Sequence, residues 1–133
     1  MNGFDRIEPN VCRLLVPTNQ VKFLYIFTPD GTRGLGLTAK DGIVHANLMV
    51  ERRQVPQRES AIRAFFGSLG ILASRDYLAG NAEVGDATRV LVYPITGSTT
   101  EMTVLVKRIL KELCGVSSTE PLDIKYTAKS NGS

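Results

Sequence analysis

The chain has 133 residues, of which 43% are hydrophobic and 22% charged, proportions ordinary for one soluble globular domain. They argue against a collagen-like fibre, a disulfide-framework peptide and wholesale disorder, and no apolar run approaches the roughly 20 residues that a membrane-spanning helix needs. The 16 Lys and Arg outweigh the 13 Asp and Glu by only three, and that excess is not gathered into a block, so charge alone does not predict a nucleic-acid partner.

In chain order, residues 1–10 read as a loose lead-in. Asp5, Arg6 and Glu8 interrupt it, so no secretory signal is expected. Val11 to Val16 is short and apolar, and Pro17 stops it, which predicts a first strand. Val21 to Thr28 is dense in aromatic and β-branched residues and predicts a second. Pro29-Asp30-Gly31 then marks a turn. Gly34 to Thr38 alternates glycine with leucine, putting Leu35 and Leu37 on one face and leaving the other bare. Lys40-Asp41-Gly42 is a hairpin signal. In Ile43 to Val50, the residues Val44, Ala46, Leu48 and Val50 share one face, and Ile43, His45, Asn47 and Met49 share the other. Together these segments predict an antiparallel meander.

The period changes after Pro56. Ile62, Phe65, Phe66 and Leu69 form one apolar stripe of a helix that Gly70 ends. Ile71 to Ala79 is ambiguous between a strand and a helical turn, and Gly80 to Ala87 reads as a loop. Thr88 to Ile95 is a strand, with Pro94 at a stretch that lies at an edge or leaves the sheet. Ser98 and Glu101 have capping-box spacing. Behind them Met102, Leu105, Val106, Ile109, Leu110 and Leu113 form an amphipathic helix that Gly115 ends. Leu122 to Thr127 alternates and predicts an edge strand.

The expected order is β-β-β-β-α-β-α-β, with an extra element near Ile71. Helices with single apolar stripes must pack on something. The expected fold is therefore an α+β two-layer sandwich: an antiparallel or mixed sheet of five to six strands, with two helices on one face. Residues 11–128 form the single domain and 129–133 a disordered tail.

The residues that carry chemistry are few. Gly31, Gly34 and Gly36 precede a strand rather than a helix and lack a Gly-Lys-Ser/Thr, so they are read as hairpin glycines rather than a phosphate loop. His45 is the only histidine, which rules out a histidine-rich metal site. It sits with Asn47 and Met49 on a mixed strand face that suits a wet surface or a cleft wall. Cys12 and Cys114 are far apart and form no zinc or redox pair, and both are read as reduced, buried thiols of a cytoplasmic protein. There is no serine-nucleophile elbow and no paired carboxylate. Arg52, Arg53, Arg58 and Arg63 crowd one stretch, relieved by Glu51 and Glu59. They form either a solvated face or a surface for an anionic partner.

The strand IVHANLMV (43–50), the helix ending FFGSLG (65–70) and the run VLVYPITGSTTEMTVLVKRILKEL (90–113) resemble the type III secretion chaperone-like fold, including the YbjN and TY-chaperone relatives. Such domains are usually acidic and begin with a helix, whereas this chain is slightly basic and its first element reads as a strand. The resemblance implies a protein-binding role. With no catalytic set in view, the sequence predicts a non-enzymatic, cytoplasmic, homodimeric domain that needs no cofactor or metal. Its candidate binding residues are His45, Asn47, Met49, Arg52, Arg53 and Arg58. Two alternatives stand beside it: a small-ligand sensor with a pocket between sheet and helices, and a weak nucleic-acid binder using the Arg52–Arg63 cluster.

Overall fold

Alternation within the strands decides the layers of this molecule. The computed structural model describes residues 3–16, 18, 20–51, 57–79 and 88–130. Among them, a 3-10 turn (Gly3–Arg6) leads into α1 (Ile7–Leu15), followed by β1 (Gln20–Phe27), β2 (Gly34–Lys40) and β3 (Ile43–Glu51). Then come α2 (Gln57–Ser68), β4 (Arg75–Ala79), β5 (Thr88–Ile95), α3 (Thr99–Arg108) with a terminal π turn (Ile109–Leu113), and β6 (Asp123–Ser130). The described strands form one antiparallel sheet in the order β4-β5-β3-β2-β1-β6.

Leu24 and Ile26 of β1, Leu35 and Leu37 of β2, Ala46 and Leu48 of β3, and Leu91 and Tyr93 of β5 share one sheet face and are buried. Ile7, Val11 and Leu14 of α1, Ile62 and Phe66 of α2, and Met102 and Val106 of α3 join them in one core. All three helices therefore cover the same face. Phe66 stacks on Tyr93 with ring centroids 3.8 Å apart, which seats α2 over β5. The opposite face has no described helix against it.

Local chemistry explains the joints. Asp41 and Gly42 both have positive φ, at 53° and 80°, the geometry of the tight hairpin that joins β2 to β3. The Asp30 carboxylate accepts hydrogen bonds from the Thr28 hydroxyl and from the Thr32 amide and hydroxyl. These bonds hold its pKa down at about 2 and fix the β1–β2 turn. The capping box at α3 is complete: the Ser98 amide donates to Glu101, and the Glu101 amide donates to the Ser98 hydroxyl. After the π turn, Gly115 takes a φ of 70° and the Val116 amide closes back on the Leu110 carbonyl.

Several expectations need correction. The first element is a helix and not a strand. Phe4, Ile7, Val11 and Leu14 are buried at helical spacing, so the segment read as a lead-in contributes to the core from Gly3 onward. There are three α-helices among the described residues rather than two, and the element near Ile71 is the short strand β4. Lys129 and Ser130, assigned to the tail, pair with β1. Cys12 is exposed, while Cys114 is buried as expected. The edge position of the last strand and the two-face reading of β3 agree with the structure. The reading of Pro94 agrees as well. β4 reaches only as far as Val92, so β5 runs on past it and the missing N–H of Pro94 disrupts no ladder. The Pro56 helix start and the 80–87 loop lie outside the described residues.

Candidate functional site

Three of the six candidate binding residues converge on one cavity of about 590 Å³ at the start of β2. Its floor is nearly bare backbone, at Gly34 and Gly36. The chains of β1 and β2 come very close here: a Cβ on Gly34 would lie 2.1 Å from the Ile26 carbonyl oxygen, at a φ of +155°. Asn47 sits across from Gly36 in the β2–β3 ladder, and its amide nitrogen donates to the Gly36 carbonyl at 3.4 Å. Met49 of β3 and Phe27 of β1 flank the same strip. Arg58, in the first turn of α2, and Leu113 to Gly115, at the end of the π turn, supply the opposite rim.

The charges around this cavity are not equally committed. Arg33 is clamped. It bonds both carboxylate oxygens of Glu120 and, at 2.6 Å, the Gly115 carbonyl. Glu120 also accepts from the Ser117 amide. The Arg33 bond first, and then the Ser117 amide, hold its carboxyl below the ordinary value. Glu112 is paired with Arg108 at 2.8 Å. Arg58 differs. Its guanidinium donates to the Leu113 carbonyl and lies 4.0 Å from the Cys114 sulfur, and no carboxylate among the described side chains, which do not include that of Glu51, pairs with it. The Cys114 thiol donates to the Gly34 carbonyl at 3.4 Å. Burial pushes that thiol above its ordinary pKa, so it stays neutral and does not balance Arg58.

The remaining candidates lie elsewhere. His45 is on the outer face of β3, opposite Thr38 and Pro94, and does not line the cavity. Arg52 and Arg53 fall outside the described residues. Arg63, the last member of the arginine stretch, belongs to a balanced square. It pairs with Glu59 and Asp76, and Arg89 pairs with the same two carboxylates. Its charge is spent there, so Arg58 and Arg63 belong to two unrelated sites. Among the described residues no group of three or more His, Cys, Asp or Glu side chains could hold a metal ion, and no helix is long and apolar enough to cross a membrane.

The outer face of the sheet is the second feature. At its margins aromatic rings carry their own cations, with Lys129 5.9 Å from the centre of Phe23 and Arg75 4.7 Å from that of Tyr77. Its centre, β3, has no such cover among the described residues, and Ile43 and Met49 are 51% and 57% exposed. Sequence reasoning found the face but missed Arg33, Leu113 and Cys114 as cavity residues, because they reach it from far along the chain. The one signal was the bare side of the Gly-Leu-Gly-Leu strand, which marks a place without side chains. No family model matches the chain, and no curated protein or solved structure matches it either.

Proposed function

We propose that the chain is a non-enzymatic protein-binding domain, chaperone-like or adaptor, that works in the cytoplasm as a homodimer through its outer sheet face. The observation that carries this reading is the uncovered centre of that face. Ile43 and Met49 lie half-exposed beside His45 and Asn47, a mixture too apolar for open water and too polar for a sealed core. A two-fold interface would cover the apolar members and leave polar ones to pair at its rim.

Sedimentation equilibrium tests this reading. The wild-type chain should run at twice 14.5 kDa at micromolar concentration. The mass of one chain at high concentration would remove the case for the dimer.

A further inference from the structure

We propose that the cavity at the start of β2 binds a small organic acid, one carboxylate on an apolar body, with Arg58 as its anchor. Three observations converge. The volume, about 590 Å³, lies within the range of small-molecule sites. Phe27, Leu35, Met49 and Leu113 line the walls, so an apolar body gains burial there. Among the charges at the rim, Arg33 and Glu112 are already neutralised by Glu120 and Arg108, while Arg58 holds, among the described side chains, a carbonyl and a neutral thiol.

A guanidinium has five N–H donors in a planar fork that matches a carboxylate. Arg58 directs two of its nitrogens at protein atoms, which leaves donors for an oxyanion from outside. The charges on the described side chains suggest the ligand class. Among them, one guanidinium without a carboxylate partner balances one carboxylate, whereas a phosphate would want a second cation and gains nothing from apolar walls. Asn47 reaches Gly36 by a long bond only, so its amide can turn to a second polar atom on the ligand. The bare floor at Gly34 and Gly36 lets the ligand lie directly on backbone.

The test titrates the purified chain with 3-phenylpropionate, its neutral amide 3-phenylpropionamide, and inorganic phosphate, read by amide chemical shifts and melting temperature. The acid is expected to shift the Gly34 and Gly36 resonances and raise the melting temperature, while the amide and phosphate do neither. Arg58→Gln should weaken acid binding about ten-fold or more, as loss of a charge-assisted pair does. Gly36→Leu should fill the floor and abolish binding with the fold intact, since a Cβ there meets its nearest atom, on Tyr25, at 3.4 Å. That variant carries the test alone if Arg58→Gln fails to fold.

Equal responses to acid and amide would overturn the proposal. So would binding undiminished by Arg58→Gln, phosphate producing the same shifts, or no shift at Gly34 and Gly36 with the acid. The cavity shares Asn47 and Met49 with the proposed dimer face, so the titration is run beside sedimentation. Binding of the acid by a monomer or a dimer leaves this proposal standing, and no binding at a concentration where the chain sediments as a monomer defeats it, whereas the sedimentation mass alone decides the dimer.

Discussion

The two faces of β3 both carry large apolar residues, and these differ sharply in burial. Leu48 is fully buried and Met49, its neighbour, is 57% exposed; Val44 is buried and Ile43 lies half in water. Large apolar residues stand on both sides of the strand, and the helical layer on one side makes the difference to their burial. The same face offers the converse case at Lys22, only 3% exposed on β1. Its ammonium donates to the carbonyls of Arg13, Leu14 and Val16, the groups that the end of α1 leaves without an internal partner. The cation also sits at the negative end of the helix dipole. Position decides burial. Where the chemistry of a residue disagrees with its position, either a specific device compensates, as at Lys22, or a partner is still to come, as at Met49.

The largest expected effect lies on the covered side. Ile109 is fully buried where α3 passes into the π turn. Ile109→Asp places an unpaired carboxylate there, which costs several kcal/mol against a total of roughly 5–15. The chain should fail to fold, read as loss of cooperative melting. A soluble variant with near-native melting would mean that the covered face is not dry. Lys22→Met comes next. Methionine fills a similar volume but leaves the three carbonyls unpaired, and the loss should be roughly 2–3 kcal/mol in a urea melt. A loss under about 0.5 kcal/mol would show that Lys22 is tolerated there and adds nothing.

These two sites also show what the sequence made legible. The amphipathic helix through Ile109 was readable because its cap, its stripe and its terminating glycine all agree. Lys22 was not, because a lysine in the apolar phase of a strand looks like an error until a helix end is placed above it. The first helix was misread for a related reason. Reading from Val11 cut the series Phe4, Ile7, Val11, Leu14 in half and left a fragment that alternates as well as it spirals. Pro9 did not signal a break, since a proline in a first helical turn removes no bonded N–H. β4 stayed ambiguous between a strand and a helical turn because four of its five residues are exposed and the fourfold ion square it joins through Asp76 holds charges that look solvated in sequence. The cavity could not be read as a whole, because its rim joins Arg33 to Glu120 and Arg58 to Leu113, 87 and 55 residues apart in the chain. Asn47, Met49 and Arg58 were nonetheless among the residues singled out.

A smaller effect, of opposite sign, lies on the covered side too. Thr103 of α3 is 1% exposed, and its hydroxyl has no hydrogen-bond partner among the described residues. Valine has nearly the same shape without the oxygen. Thr103→Val should therefore stabilise by about 1 kcal/mol, the desolvation cost of one unpaired hydroxyl, and raise the melting temperature by a few degrees. An unchanged or lower melting temperature would mean that the hydroxyl has a partner after all.

The smallest effect on stability is expected at Met49, and it sharpens the comparison most. An arginine there can lay its stem along the sheet and keep its head in water, so Met49→Arg should change the folding free energy by no more than about 0.5 kcal/mol. Leu48→Arg, one residue earlier, points the same charge into the helical layer and should unfold the chain. The assembly should respond in the opposite sense. A charge is tolerable on a wet face and costly in a dry interface, so Met49→Arg should shift the sedimentation mass from twice 14.5 kDa towards 14.5 kDa while its melting stays near wild type. A dimer that survives the change would move the interface off β3. Unfolding comparable to Leu48→Arg would mean that the outer face is itself part of a core, and the distinction between the two faces would fall with it.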